Sequence, residues 1–364
     1  MSKAKFYFPN LNGLRFIAAL MVIFHHIEQY KKIYNISNYW NTMPFIQLFG
    51  KLGVDLFFVL SGFLITYIML FEEKQNKKIL IWDFYKRRIL RIWPLYFLIV
   101  LLAFFVLPNS SLFSIQNQGN FVLKDHFNSN LILYIFFLPN LALSLYGPIP
   151  FAAQAWSIGT EEQFYLIWPL LLSRIRNNRL ILMLFIVFIY WIISAYLNIF
   201  NQNISNQWDV FRQYWNTFKI NCMAIGAFFS IVYFKKLKIL KYFLNNFIFF
   251  IALISCIILI YKGTYLPFIN VEVYSFLFGL IILNLAGNER LKNVLEFKFL
   301  NYLGKISYGL YMFHAIAIVI TINMLQHFHI QSYWLISPIS ISLTIVIASI
   351  SYKYIESYFL KIKR

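Results

Sequence analysis

The chain has 364 residues, of which 60% are apolar and 12% are charged, and it carries a net charge of +19. So few charged residues cannot cover the surface of a soluble fold of this length, and so many apolar residues exclude a disordered chain. The basic residues lie between long hydrophobic stretches and form no patch for nucleic acid, and Cys222 and Cys256 form no disulfide or metal-ligand pattern. The composition indicates an integral membrane protein.

Ten apolar stretches are long enough to cross about 30 Å of hydrocarbon. They lie near 14–30, 47–71, 91–107, 157–173, 180–199, 216–234, 245–261, 269–286, 306–325 and 333–352. A further apolar piece, 131–146, is interrupted by Pro139 and Asn140 and followed by Gly147, so we expect a short re-entrant or interfacial helix there. The sequence therefore predicts an all-α, polytopic membrane protein with ten transmembrane helices, folded as a single membrane-embedded domain over residues 1–364.

The distribution of lysine and arginine predicts the orientation of these spans. With both termini in the cytoplasm, the cytoplasmic segments are 1–13, 72–91, 174–179, 235–244, 287–305 and 353–364. They hold 24 lysines and arginines, whereas seven lie on the opposite side and its helix ends. Cytoplasmic loops carry an excess of these residues, so we predict that both termini are cytoplasmic.

The first span carries Arg15 and His26, eleven residues apart. Eleven residues make three helical turns plus about 20°, so both side chains project from one face, roughly 16 Å apart along the axis. A cation at the entrance and an imidazole deeper inside fit a long, anionic, cytoplasmic donor whose reactive end reaches His26. The alternative is that Arg15 reaches the lipid headgroups and His26 is a hydrogen-bonded packing residue, as we expect for His25, which is turned about 100° away.

The second span reads GVDLFFVLSGFLIT and carries a buried carboxylate, Asp55. An ionisable residue within a span is a functional candidate, and Asp55 could orient a catalytic group or pair with a cation. The alternative is a structural hydrogen bond between helices, with Ser61 and Gly62 allowing close helix approach.

The third span opens with KRRILRIWPLYF, in which Arg88 and Arg91 are three residues apart and line one helix face. Guanidinium groups bind phosphates through two parallel hydrogen bonds, which suits an anionic ligand. The alternative for both residues is ordinary anchoring to anionic lipid at the cytoplasmic face.

The fourth span opens with WSIGTEEQFYLIWP and carries two adjacent carboxylates, Glu161 and Glu162. Tyr165 lies one helical turn further on, and Trp156 and Ser157 precede the pair. A buried carboxylate close to an imidazole is the usual means of orienting that imidazole and tuning its basicity. The pair is thus a candidate partner for His26, whereas a single glutamate there would be only a helix-dipole partner.

The ninth span opens with GKISYGLYMFHAI, in which Ser307, Tyr311 and His314 form one polar stripe on an apolar helix. The stripe could relay protons or line a substrate path, and hydrogen bonding between helices is the alternative. Three further carboxylates lie at helix ends, where we expect solvation or headgroup contact: Glu28, Glu272 and Glu356.

Five stretches together resemble the acyltransferase 3 family of membrane O-acyltransferases. They are NLNGLRFIAALMVIFHH, GVDLFFVLSGFLIT, FYKRRILRIWPLYF, WSIGTEEQFYLIWPLLL and GKISYGLYMFHA, and they occur in the family's order. The family's Arg-(ten residues)-His pattern falls on Arg15 and His26, and its paired arginines on Arg88 and Arg91. Its Trp-Ser…Glu block falls on four residues: Trp156, Ser157, Glu161 and Glu162.

The resemblance implies an enzyme of a bacterial cytoplasmic (inner) membrane. Such an enzyme moves an acyl group, usually acetyl, from cytoplasmic acyl-coenzyme A (acetyl-coenzyme A) to a hydroxyl of an extracytoplasmic acceptor, here a cell-surface or lipid-linked polysaccharide. No metal is implied, and membrane lipids are the other expected contact. Some members carry a fused esterase-like domain. This chain ends at Arg364 after the tenth span, so we expect the stand-alone form.

Roles for the candidate residues follow from the resemblance and the residue chemistry. The donor phosphates would bind to Arg15, Arg88 and Arg91. His26 would be the general base or carry the acyl group transiently, assisted by Glu161 or Glu162, with Asp55 a further catalytic candidate. The expected substrate-lining residues are Trp156, Ser157, Tyr165, Ser307, Tyr311 and His314.

Two other functions would use the same intramembrane polar residues. A transporter or flippase would need no acyl transfer, but the sequence shows no inverted-repeat character. A purely structural subunit would leave Asp55, Glu161 and Glu162 without a purpose.

Overall fold

Helices account for the regular structure of the protein in a computed structural model, which describes residues 7–116, 125–199, 206–330 and 332–362. The α-helices in these ranges are α1 (Leu11–Ile33), α2 (Pro44–Asn76), α3 (Ile81–Leu101), α4 (Phe127–Ile135), α5 (Pro139–Tyr146), α6 (Trp156–Arg174), α7 (Arg179–Ile199), α8 (Asn206–Thr217), α9 (Ile220–Phe234), α10 (Leu240–Phe243), α11 (Asn246–Tyr261), α12 (Asn270–Gly287), α13 (Lys298–Lys305), α14 (Ser307–His327), α15 (Ile336–Ser351) and α16 (Ser357–Ile362). Short π-helical segments follow α3 (Leu102–Val106) and α15 (Tyr352–Glu356).

Eight helical segments of the described chain are long and apolar enough to cross a membrane. They are Leu11–Ile33, Pro44–Asn76, Ile81–Asn109, Arg179–Ile199, Gln207–Phe234, Asn270–Gly287, Ser307–His327 and Tyr333–Ile362. The other two predicted spans fall on α6, which carries Glu161 and Glu162, and on α11, which has only 16 residues. The prediction of an all-α, polytopic membrane protein is confirmed.

The apolar piece 131–146 forms two helices, α4 and α5, so the prediction of a single short helix there was wrong. Phe137 separates them because its φ of 58° lies in the left-handed region, which no helix can continue. Pro139 then begins α5, a position at which its missing N–H costs nothing. Asn140 and Gln163 exchange hydrogen bonds of 2.9 and 3.2 Å through their side-chain amides, so α5 is held against α6.

Helix α2 crosses α9 with almost no space between the backbones. A Cβ on Gly62 would lie 2.0 Å from the carbonyl oxygen of Met223, and a Cβ on Gly226 would lie 2.1 Å from that of Val59. Small residues permit such close approach between membrane helices, and the alternative considered for the second span included it at Gly62. Residues of α2 also line the site described below.

Ion pairs and hydrogen bonds join the loops at one end of the bundle. We call this the basic end, because it carries the segments 72–91, 174–179, 235–244 and 287–305. Glu73 accepts two hydrogen bonds from the guanidinium group of Arg179, at 2.6 and 3.0 Å, which ties α2 to α7. Glu72 pairs with Arg87 and ties α2 to α3.

The residues before α1 are fastened to the segment after α12. The side chain of Asn10 donates to the carbonyl oxygens of Leu285 and Leu291, at 2.9 and 2.8 Å. Glu296 accepts from the hydroxyl of Tyr7 and from the backbone N–H of Asn10. Partial burial alone raises the pKa of Glu296, but these hydrogen bonds outweigh it and hold its pKa below the ordinary value. The contacts fix the start of α1, which carries Arg15.

Candidate active site

A cavity at the basic end brings together residues from five helices of the bundle. It holds about 680 Å³ of empty volume, including its open mouth. Eight residues predicted from the sequence line it: Arg15, Arg88, Arg91, Ser157, Glu161, Tyr165, Ser307 and Tyr311. Apolar residues of α2, among them Phe57 and Phe58, line another part of the wall.

The cavity wall carries more positive than negative charge. Its three arginines face one carboxylate, Glu161, and no salt bridge within the described ranges involves Arg15, Arg88 or Arg91. The Nε of Arg88 is buried without a hydrogen-bond partner. Its guanidinium carbon lies 5.6 Å from the ring centre of Phe84 and 5.7 Å from that of Tyr165. A cation whose Nε is buried and unpaired is available for an anionic ligand.

The two adjacent glutamates of α6 face different neighbours. Glu161 accepts hydrogen bonds from the Ser61 hydroxyl at 2.7 Å and the Tyr165 hydroxyl at 2.9 Å, and it lines the cavity. Glu162 accepts one long hydrogen bond, 3.3 Å, from the indole of Trp93, and its Oε1 is buried without a partner. The contact of either glutamate with His26 that we expected is not formed, because Glu161 faces α2 and Glu162 faces α3.

His26 contacts a second imidazole, that of His314. The Nδ1 of His26 lies 2.9 Å from the carbonyl oxygen of Val22 and 3.2 Å from the Nε2 of His314. The Nδ1 of His314 lies 2.6 Å from the carbonyl oxygen of Tyr311. His314 is fully buried, whereas His26 is partly exposed. The structure thus joins the first and ninth predicted spans through their histidines.

His25 packs against α2, as the sequence suggested. Its Nδ1 lies 2.9 Å from the carbonyl oxygen of Ile46, and its ring fills the space beside Gly50, where a Cβ would lie 2.5 Å away. Its ring centre is 4.9 Å from that of His26 in an edge-to-face arrangement. His25 is therefore a packing residue at the contact between α1 and α2.

Ser157 and Tyr311 meet at the side of the cavity nearest His314. Their hydroxyl oxygens are 2.7 Å apart, and both can donate to the backbone carbonyl of Gln154, at 3.2 and 3.0 Å. Gln154 in turn donates to the carbonyl oxygen of Met312 on α14. Trp156 does not line the cavity and packs edge-on against Phe58, with ring centres 6.2 Å apart.

Asp55 pairs with a cation away from the histidines. Its Oδ1 lies 2.5 Å from the Nζ of Lys219, the residue that precedes α9, and both side chains are buried. Of the roles that the sequence left open for Asp55, the structure shows pairing with a cation. The sequence analysis missed Lys219 and counted it only among the basic residues at outer helix ends, although a lysine directly before an apolar helix is a signal for such a pair.

The carboxylates at helix ends are more buried or form more hydrogen bonds within the protein than we expected. Glu28 is buried and accepts from Lys31 at 2.7 Å and from the backbone N–H of Tyr39 at 2.6 Å. Glu356 is also buried, and its Oε1 has no partner among the described residues. The prediction of solvation was wrong for these two, because each helix end folds back into the bundle. Glu272 accepts from Asn221 at 2.8 Å.

A family model described as an acyltransferase domain matches residues 8–353. The match runs from just before α1 into the π-helical segment after α15, so it includes α1 to α15. The chain belongs to the acyltransferase 3 family. The resemblance drawn from the five sequence stretches is confirmed, and the transporter alternative has no support from this comparison.

Several bacterial O-acetyltransferases are similar to the chain. The peptidoglycan O-acetyltransferase OatA of Listeria monocytogenes is 28% identical over 340 residues, which cover 88% of this chain and 51% of the relative. The putative peptidoglycan O-acetyltransferase YrhL of Bacillus subtilis is 29% identical over 334 residues, 86% of this chain and 49% of the relative. The O-acetyltransferase OatA of Staphylococcus aureus is 33% identical over 187 residues, 50% of this chain and 28% of the relative.

This chain therefore spans about half the length of the Listeria and Bacillus relatives, and less of the Staphylococcus one. No solved structure matches it.

Proposed function

We propose that this protein transfers an acetyl group from cytoplasmic acetyl-coenzyme A to a hydroxyl of a cell-surface polysaccharide beyond a bacterial cytoplasmic membrane. One observation carries the proposal: a cavity lined by three arginines, which form no salt bridge with the described carboxylates, lies one helical turn from a pair of contacting histidines. Tyr311 links the two, since it lines the cavity and its carbonyl oxygen contacts His314.

The cavity suits the chemistry of coenzyme A. Its phosphates are strong hydrogen-bond acceptors, and the guanidinium groups of Arg15, Arg88 and Arg91 present donors in the planar arrangement that phosphates prefer. The unpaired, buried Nε of Arg88 is a donor that a bound anion would satisfy. Apolar side chains of α2 would cover the less polar part of the donor.

His26 acts as the general base in this mechanism. The acceptor hydroxyl attacks the thioester carbonyl carbon while an imidazole nitrogen of His26 takes its proton. The carbon–sulfur bond then breaks, the new oxygen ester remains on the acceptor, and the thiolate of coenzyme A leaves with the proton. The partial exposure of His26 allows an acceptor to approach it.

The acceptor is proposed from the relatives and from the orientation of the chain. The Listeria and Bacillus relatives are named for peptidoglycan, which is a hydroxyl-bearing cell-surface polymer. With both termini cytoplasmic, the basic end and its cavity face the cytoplasm, where the donor is made. A glycan acceptor would then approach from the other side.

The test compares His26→Gln with His25→Gln in purified, reconstituted protein supplied with radiolabelled acetyl-coenzyme A and a soluble glycan fragment. We expect acetyl transfer by the wild type, and a loss of about 10²–10⁴-fold in the His26 variant with unchanged donor binding, as for a general base. The His25 variant should keep most of its activity, because its ring faces Gly50. Absence of acetyl transfer by the wild type to any glycan would contradict the proposal.

A further inference from the structure

The hydrogen bonds of His314 determine which of its nitrogens carries a proton. Its Nδ1 lies 2.6 Å from the carbonyl oxygen of Tyr311, and a carbonyl oxygen can only accept, so Nδ1 is the donor. His314 is fully buried and contacts no carboxylate among the described residues, and an unpaired charge there would be very unfavourable. The ring is therefore neutral, and its Nε2 holds a lone pair.

The same reasoning then applies to His26. Its Nδ1 faces two groups, the Val22 carbonyl oxygen at 2.9 Å and the lone pair on Nε2 of His314 at 3.2 Å. Both groups accept hydrogen bonds, so the Nδ1 of His26 carries the proton. In the neutral ring the lone pair must lie on the other nitrogen, Nε2. That nitrogen contacts no hydrogen-bonding group in the part of the chain that the structure describes.

We infer that His314 is a positioning residue that holds His26 in the form protonated on Nδ1, leaving Nε2 free as the base. This inference rests on the proposed function for the use of that base, but the tautomer itself does not depend on it. The arrangement resembles the use of a carboxylate to fix a catalytic histidine, with a neutral imidazole in the carboxylate's place. The lone pair of His314 also stabilises the Nδ1–H when His26 gains a second proton.

No other titratable group replaces His314 in this role. His25 lies 4.9 Å from His26 between ring centres, but its own Nδ1 is engaged by the carbonyl oxygen of Ile46. The Tyr311 hydroxyl is engaged with Ser157 and the Gln154 carbonyl. The Val22 carbonyl belongs to the same helix as His26, so within the described ranges only His314 fixes the ring relative to another helix by a hydrogen bond.

A structural test reads the tautomer directly. The full-length protein, labelled with ¹⁵N-histidine and placed in lipid nanodiscs, should show an N–H signal for Nδ1 and a lone-pair signal for Nε2 of His26. The His26 signals are assigned by their loss in His26→Gln. In His314→Leu only the Val22 carbonyl oxygen remains as an acceptor for the Nδ1–H, so we expect these two signals to move part of the way towards an average of the two tautomers. A wild-type His26 protonated on Nε2 would overturn the inference.

A kinetic test separates positioning from packing. We expect His314→Leu to lower kcat by about 10- to 100-fold, as supporting partners of functional histidines do, with the donor KM within about twofold of wild type. His314→Gln offers an amide oxygen to the Nδ1–H of His26 and should recover much of the lost kcat. Equal kcat in both variants, or a parallel rise in donor KM, would assign His314 to packing. The tautomer signature without any acetyl transfer would contradict the proposed function alone.

Discussion

Arg88 combines aromatic contacts with a buried, unpaired Nε, which makes it the most informative single arginine of the cavity. We predict that Arg88→Ala raises the donor KM by about 10- to 100-fold with little change in kcat, since a hydrogen bond to a charged group contributes about 1.5–3 kcal/mol. In Arg88→Lys the donor KM should fall only part of the way back to the wild-type value, because lysine lacks the planar pair of donors.

Arg176 provides the control for that measurement. It lies at the same end of the bundle, but its side chain is 58% exposed and pairs with Glu73 instead of lining the cavity. Donor KM should therefore stay near the wild-type value in Arg176→Ala. The same KM in the Arg88 and Arg176 variants would show that Arg88 only anchors the protein to lipid.

Removing one member of the Asp55–Lys219 pair should change the stability of the protein. Removing one member of a buried ion pair leaves the other charge uncompensated, so Asp55→Asn should destabilise the protein by about 3–5 kcal/mol. Asp55→Leu combined with Lys219→Met should recover most of that loss. Thermal denaturation in detergent measures both, and Asp209→Asn, which breaks a half-exposed pair with Arg212, is the control with little expected change.

Activity of the same double variant distinguishes the two roles considered for Asp55. A stable and active double variant would make the pair structural. A stable but inactive one would return Asp55 to the catalytic residues, which the present contacts do not favour, since Asp55 contacts Lys219 and not a histidine.

For single residues, the sequence predicted which side chains line the site better than it predicted which side chains they contact. Helical periodicity and the cost of burying charge select Arg15, Arg88 and Glu161, and all three line the cavity. The partner of His26 lies 288 residues away on α14, and the Ser61 that donates to Glu161 lies 100 residues before it. Local spacing carries no information about which helices are neighbours, so these contacts required the fold.

Among the helices, the crossing of α2 and α9 leaves very little space for change. We predict that Gly62→Ala destabilises the protein by about 1–3 kcal/mol or more, because the new methyl group would overlap the Met223 backbone and backbone atoms cannot rotate away. Thermal denaturation in detergent measures the loss.

Gly287 offers a matched substitution for that experiment. A Cβ there would meet only the far end of the Tyr233 side chain, at 2.5 Å, which can move aside. Gly287→Ala should therefore cost less than Gly62→Ala. If both variants were as stable as the wild type, the α2–α9 contact would be looser than the structure shows.

Helix existence followed from hydrophobic length, but helix boundaries did not. The apolar run 47–71 lies within α2, which extends to Asn76 because polar residues continue the helix beyond the apolar region. In 131–146 the break depends on the backbone of Phe137, and phenylalanine gives no sequence signal for a positive φ. Hydropathy predicts which segments lie in lipid, but it does not predict such local turns.

The last prediction concerns the orientation of the whole molecule in the membrane. Cysteines introduced at Ser37, between α1 and α2, and at Lys292, after α12, lie at opposite ends of the bundle. A membrane-impermeant maleimide should label Ser37→Cys in intact cells and Lys292→Cys only after permeabilisation, as the distribution of basic residues indicates. The native cysteines are buried and should add little background.

The reverse labelling pattern would place the cavity on the outside and remove the cytoplasmic donor from the proposed mechanism. The sequence predicts this orientation from charge counts alone. The packing of the bundle is independent of it, since the contacts at the basic end would be the same in either orientation.

The hydrogen bonds among Ser157, Tyr311 and Gln154 have an electrical consequence for the cell. Ser157 and Tyr311 line the cavity, and the carbonyl oxygen of Tyr311 contacts His314, so this cluster lies where the cavity approaches the histidine pair. A continuous water path between the two faces would let protons run down the membrane potential, which is worth about 2.3 kcal/mol per charge for each 100 mV. An enzyme that joins substrates from both faces must therefore exclude such a path, and the hydroxyls of Ser157 and Tyr311 bond to each other and to the Gln154 carbonyl oxygen instead of requiring water.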